Sequence, residues 1–249
     1  MTTAVDSLRL AQAFELDPNV SAILLEADAT LVFVNRAARM VYSAQGEPEV
    51  DRTGQKLQDF LPAEWVEERL GWFRKSLASE RPILVQHLYR GQLLSVTIYP
   101  LLDKSCVWRI LAISRRTTAE ESDLPPGEFD REETKFVELG ALAALTPREL
   151  EVLVLLGTGI SAPEAAARLH RSPKTIERHK SAIGRKLGAS TMASIATLAA
   201  KSGIQERHLA LRRVVVPPTV TDSPVTESPV TESSMAEPAV PSRPDASSD

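Results

Sequence analysis

Cysteine is nearly missing from this 249-residue sequence, where Cys106 stands alone. A single thiol excludes an internal disulfide framework and any cysteine-clustered zinc or iron–sulfur site. Long apolar runs are missing too. The longest uncharged stretches, such as 152–163, fall short of the roughly 18 residues a membrane span needs. Residues 1–7 have neither a basic start nor an apolar centre, so they do not read as a secretory signal, and a cytoplasmic location is expected. There is no Gly-rich phosphate loop, Cys-x-x-Cys pair, Gly-x-Ser-x-Gly, His-x-x-x-His or histidine-kinase catalytic region. No enzymatic activity is therefore expected. Aromatic residues are few: Trp65, Trp72 and Trp108 precede residue 110, and nothing aromatic follows Phe136.

Charge is present in both signs but unevenly placed. The net charge is −4. Residues 17–115 balance at 12 basic and 12 acidic side chains. Residues 116–145 carry 3 basic and 8 acidic, residues 146–201 carry 9 basic and 4 acidic, and residues 217–249 carry 1 basic and 6 acidic. One short positive segment thus sits inside an acidic chain. A local positive field suits a polyanionic partner, although a solvated surface has the same composition. That segment has no aromatic platform on which single-stranded bases would stack, so duplex DNA is favoured.

Hydrophobic periodicity divides the rest. Residues 3–16 fit a short amphipathic helix that Asp17-Pro18 ends. Two β-rich runs, 22–25 and 31–34, flank a polar turn and read as a hairpin. Residues 36–44 look helical, 45–54 read as a loop, and Pro62 opens a helix to Ser79 that buries Trp65, Leu70, Phe73 and Leu77. Three strand candidates follow, 83–89, 93–101 and 106–114, with Cys106 and His87 expected to pack as ordinary strand residues. A five-stranded antiparallel sheet with helices would bury this pattern. Residues 116–127 have a linker's composition, and 128–145 are expected to form a connecting helix. Residues 217–249 repeat Val-Thr-Asp/Glu-Ser and are proline-rich. They bury too little to offset their ordering entropy and are expected to be disordered.

The informative stretch is 145–200. Thr146-Pro147-Arg148-Glu149, Ser161-Ala162-Pro163-Glu164 and Ser172-Pro173 are three helix starts. They lie 15 and 11 residues apart, so the helices are short and the turns tight. In the second helix Ala162, Ala165, Ala166 and Leu169 form the packed stripe. In the third that stripe is Ile176, His179, Ile183 and Leu187. Lys174, Glu177, Arg178, Ser181 and Arg185 then share the outer face, with donors and acceptors suited to phosphates and base edges.

The segment Leu145-Thr-Pro-Arg-Glu-Leu-Glu-Val-Leu153, with Gly159-Ile-Ser161, Glu164-Ala-Ala166, Leu169, Ser172, Thr175-Ile176, His179, Ile183 and Lys186-Leu187, resembles the LuxR-type (NarL/FixJ/LuxR) helix-turn-helix output domain. The resemblance spans about 55 residues without a gap. It implies a four-helix bundle whose third helix, 173–187, enters the major groove, and whose fourth, 190–201, contributes to dimerisation. The DNA-contacting residues it implies are Lys174, Thr175, Glu177, Arg178, Ser181 and Arg185. Glu177 departs from the lysine many members carry there. The hairpin 22–34 followed by Asn35-Arg-Ala-Ala38, with the helix and strands of 62–114, resembles a PAS-type sensor. The reactive-cysteine motif of flavin photosensors is absent from it.

Together these readings give an α+β chain: an N-terminal helix (1–16), a PAS-like domain (17–115), a linker (116–144), a helix-turn-helix domain (145–203) and an extension (204–249) disordered from about 217. The expected function is sequence-specific transcription regulation. The expected partners are double-stranded DNA, a second copy of the chain and RNA polymerase, with no membrane, metal or catalytic site. The cofactor of the PAS-like domain is left open between none and a small-molecule ligand. Two alternatives stay open: a sigma-factor-like protein, and a protein-interaction sensor that does not bind promoters directly.

Overall fold

A computed structural model describes residues 6–42, 50–117, 129–189 and 191–216. The chain opens with α1 (Ser7–Gln12), capped by the Asp6 side chain. Strands β1 (Ser21–Glu26) and β2 (Leu31–Val34) then form the expected hairpin, followed by α2 (Arg36–Tyr42). The long helix α3 (Ala63–Ser79) leads into β3 (Ile83–Tyr89), β4 (Gln92–Leu102) and β5 (Trp108–Arg116). These five strands pair antiparallel in the order β2-β1-β5-β4-β3. A sixth, β6 (Asp130–Glu133), extends the sheet parallel to β3.

Alternation decides which side chain goes where. In β3 and β4, Ile83, Val85, Tyr89, Leu94, Val96 and Ile98 face α3 and form one core with Trp65, Trp72 and Phe73. Leu70 and Leu77 pack on it as partly buried members. On the other face Ala11 of α1 meets Leu24 and Leu111. The α1 end is tied down because Ser7 donates from its backbone N–H and its hydroxyl to Asp103, which also pairs with Arg109.

Two expectations are corrected. Residues 130–137 are not a connecting helix. They form β6 and the short β7 (Phe136–Val137), and a 3-10 turn spans Gly140–Ala144. The pairing satisfies the β3 edge, whose N–H and C=O groups a helix at this place would leave open. Asp130 and Glu132 also face the cations of Arg81 and Lys75. Cys106 is exposed in the β4–β5 turn at φ 59°, outside the strands, because the Asp103 carboxylate holds that turn through Ser105. Residues 45–49 of the expected loop at 45–54, residues 118–127 of the expected linker at 116–127 and the tail at 217–249 lie outside the described residues.

The C-terminal part is helical: α4 (Pro147–Gly157), α5 (Ala162–Arg168), α6 (Pro173–Leu187) and α7 (Met192–Ser202). After α7 the chain turns back through α8 (Glu206–Leu209) to β8 (Arg212–Arg213), which pairs with β7. The helical core is not closed on itself. Leu88 and Leu93, from the β3–β4 hairpin, are buried in it beside Leu139 and Leu142. The sheet therefore buries one face against α3 and lends the end of the other to the helices.

Candidate nucleic-acid interface

The three helix starts fold as their capping residues dictate. Thr146 and Ser161 each accept from the backbone N–H three residues on, while Glu149 and Glu164 reach back to the cap N–H. Ser172 accepts from Thr175 at 3.2 Å and starts α6. His170 turns the chain between α5 and α6 at φ 51°. Gly188, at φ 68°, ends α6 in the left-handed conformation where a Cβ would be strained.

The packing of α6 follows its stripe. Ile176 and Ile183 are fully buried, and His179 and Leu187 are half-buried. Beneath them α4 packs on α6 and α7, and α5 packs on α6. Lys186 reaches across to Glu149 at 2.6 Å, tying the C-terminal turn of α6 to the start of α4. Burial pushes the Glu149 carboxyl up. The hydrogen bonds from Lys186 and Thr146 outweigh it and leave the group below its ordinary range.

Lys174, Glu177, Arg178, Ser181 and Arg185 are all exposed and line one shallow depression along α6. Their spacing places them on a single face. Thr175 is apart from them: it is half-buried, and its hydroxyl lies 2.9 Å from that of Ser172 within the cap. Ser181 donates to the Glu177 carbonyl. Glu177 pairs with Lys180 at 2.6 Å, which offsets the one negative charge on the face.

The cations of the domain divide into two sets. Arg148 is engaged by Glu151 and by the Leu169 carbonyl, Lys180 by Glu177 and Lys186 by Glu149. Lys174, Arg178 and Arg185 have no ion pair among the described residues. Arg168, Arg171 and Lys201 also lack an ion pair among the described residues, but Lys174, Arg178 and Arg185 are the three that share one face of α6.

A second site lies inside the sheet domain. A cavity of about 120 Å³ opens between the sheet, α2 and α3. Its lining is mostly apolar, with Arg69, His87 and Tyr89 among the polar exceptions. His87 is buried, and both ring nitrogens lack a hydrogen-bond partner. Burial, with a smaller effect of the nearby Arg69, pushes its pKa down to about 3. Among the described residues no three His, Cys, Asp or Glu side chains converge as a metal site would require.

Sequence reasoning missed the joint between the two parts. Glu138, just before the helical domain, is buried. Its carboxylate accepts from the backbone N–H groups of Arg90 and Gly140, its own N–H donates to Leu88, and its carbonyl accepts from Gly91. A lone glutamate in an acidic stretch gives no signal for this, because its hairpin partners are distant in sequence, Arg90 by 48 residues.

A short, tight helix pair with a capped, cationic outer helix is a helix-turn-helix of the kind that addresses duplex DNA. Residues 143–199 match the family of bacterial regulatory proteins, luxR family. That segment is a luxR-type helix-turn-helix domain, here joined to a six-stranded sheet domain. Similar solved structures include a Vibrio cholerae VqmA dimer in the absence of target DNA, 18% identical over 82% of this chain and 94% of that one, TM-score 0.39. A Vibrio cholerae VqmA–ligand–DNA complex is 19% identical over 86% and 98%, TM-score 0.42. The PAS domain of an HTR-like protein from Haloarcula marismortui is 29% identical over 45% and 96%, TM-score 0.30. No curated protein matches the chain.

Proposed function

We propose that this chain is a sequence-specific transcription regulator, whose PAS-like domain senses a signal and whose α6 enters the major groove of DNA. The observation that carries this reading is the alignment of three cations without ion pairs along one exposed face of α6. Lys174, Arg178 and Arg185 stand there, while Arg148, Lys180 and Lys186 are held by carboxylates. Arg178, mid-helix, is placed to reach base edges. Lys174 and Arg185, toward the ends, are placed for phosphates. Glu177 acts as a selective group, accepting from cytosine amines where Lys180 releases it.

Two copies would read an inverted repeat, one helical turn of DNA between half-sites. The exposed small side chains Ala193, Thr197 and Ala200 of α7 support close approach of a second α7. Contact with RNA polymerase belongs to the same reading. The sensor's state passes through the β3–β4 hairpin, because Tyr89 and Arg90 line the sheet cavity and Glu138 grips the backbone at Arg90.

The test is selection of bound duplexes from a random pool, followed by fluorescence polarisation across a salt series. The expected result is a pseudo-palindromic site bound by a dimer, with affinity falling steeply as salt rises. Binding that is absent, or indifferent to joint Lys174→Ala and Arg178→Ala substitution, sinks the reading and favours the protein-interaction alternative. Recovery of core polymerase with promoter-independent binding would favour the sigma-like one.

A further inference from the structure

The cavity of the sheet domain has an electrostatic character that its apolar walls conceal. Four arginines line it, Arg39, Arg52, Arg69 and Arg90, and no aspartate or glutamate does among the described residues. Arg69 is the one that stacks between two tryptophans of α3. It is sandwiched at 4.1 Å over Trp65 and 5.9 Å from Trp72, and its hydrogen bond goes to the Trp65 carbonyl at 3.2 Å. That uses one of five donors. Its neighbour Glu68 is turned to Thr134 and Lys135 instead. Burial lowers the Arg69 pKa to about 10, which leaves it charged at neutral pH.

Arg69 is half-buried, no carboxylate among the described residues lines the cavity beside it, and Glu68 acts on it only through its charge; a guanidinium facing an apolar chamber gains from an anion placed there. Beside it His87 is 3% exposed with two unpartnered nitrogens, an arrangement that native proteins seldom leave unanswered. Neutral His87 offers one N–H donor. The remaining walls, including Leu25, Phe73, Val85 and Ile98, want an apolar body. The volume of about 120 Å³ is near the roughly 150 Å³ that holds one benzene ring.

We propose that this cavity binds a compact organic carboxylate, of about one ring or a short branched chain, with its carboxylate on Arg69 and His87. This deepens the sensor half of the function proposed above. The planar fork of arginine matches a carboxylate in two parallel hydrogen bonds, whereas an uncharged amide of the same shape leaves the cation unanswered. Val216, from the segment that returns after the helix-turn-helix, also lines the cavity. The ligand therefore touches both the sheet and the chain that follows the output domain.

The test uses the full chain without DNA and reads tryptophan fluorescence, since Trp72 lines the cavity and Trp65 stacks on Arg69. Benzoate, phenylacetate and 4-methylpentanoate are titrated beside their primary amides, with thermal melting as a second readout. At least one acid is expected to bind tenfold or more tightly than its amide and to raise the melting temperature. Arg69→Gln is expected to abolish that preference, and Arg69→Lys to keep part of it. Acids and amides that bind alike, or not at all, overturn the proposal, as does an Arg69→Gln protein that keeps the preference. Should Arg69→Gln fail to fold, the acid–amide comparison on the unaltered chain decides alone. DNA binding, measured separately, is untouched by this outcome, so the two readings fail independently.

Discussion

At the scale of single residues, pairing decides which charges are available. Lys180 and Glu177 neutralise one another across one helical turn at 2.6 Å, whereas Lys174, Arg178 and Arg185 have no ion pair among the described residues. Substituting Lys174 with alanine should weaken binding evenly across DNA sequences and lower the slope of log K against log salt by about 0.9. Arg178→Ala should also relax base preference within each half-site, at about 1–3 kcal/mol. Polarisation titrations at several salt concentrations, on selected and scrambled duplexes, measure both. The stripe itself was legible, because helical spacing alone sorts 174, 177, 178, 181 and 185 from 176 and 183. The displacement of Thr175 into the Ser172 cap was not, since one position can serve either role.

Two buried histidines set a pH dependence. Burial lowers the pKa of His87 to about 3 and of His208 to about 4, with Arg207 adding to the latter. Unfolded, each would take a proton near pH 6.5. Between pH 6.5 and about 4, the unfolded chain then binds more protons than the folded one. Stability is full above 6.5 and falls as pH drops, by about 1.4 kcal/mol per pH unit for each histidine. Urea denaturation at pH 7 and pH 5 should show this loss. His208→Gln should shrink it by roughly half, and a stability that is flat over that range would contradict it.

Elements were legible where their ends carry their own chemistry. Capping pairs at 146/149 and 161/164 announced α4 and α5, and Ser172-Pro173 announced α6. The Ser172 hydroxyl accepts from the Thr175 amide in the first turn of α6, so Ser172→Ala should cost about 1 kcal/mol. It should also fray the turn that carries Lys174, lowering DNA affinity more than the stability loss alone would. Comparing the urea midpoint with the dissociation constant checks this. Residues 130–137 were illegible for the opposite reason. Their conformation is set by the β3 edge and by Arg81 and Lys75, all distant in sequence. Tertiary pairing overrode a pattern that, taken locally, suited a helix.

Across the whole molecule, the sheet and the helical domain behave as one structure joined at a small, dense contact. At the contact Gly140, at φ 51°, lies so near the Arg90 backbone that a Cβ would come within 2.5 Å of its carbonyl carbon. Leu88 and Leu93 of the hairpin are buried in the helical core, and Arg212 pairs with Glu64 as the chain returns to the sheet domain. Truncating Glu138 to alanine would leave the Arg90 and Gly140 amides unpaired, at about 2–3 kcal/mol. A single cooperative thermal transition should then split into two, one for each domain, as scanning calorimetry would show. None of this joint was readable from composition, because only the three-dimensional meeting of residues 88–93 with 137–142 creates it.

Entry of α6 into the major groove can be read out by chemical interference. Duplexes selected by the protein are methylated at guanine N7, which lies in the major groove, before binding. Separately, unmethylated duplexes are challenged with a small ligand that fills the A·T minor groove. N7 methylation within the half-sites should block binding, the minor-groove ligand should not compete, and Arg178→Ala should erase the methylation effect at one position. Binding that ignores N7 methylation but yields to the minor-groove ligand would contradict major-groove entry.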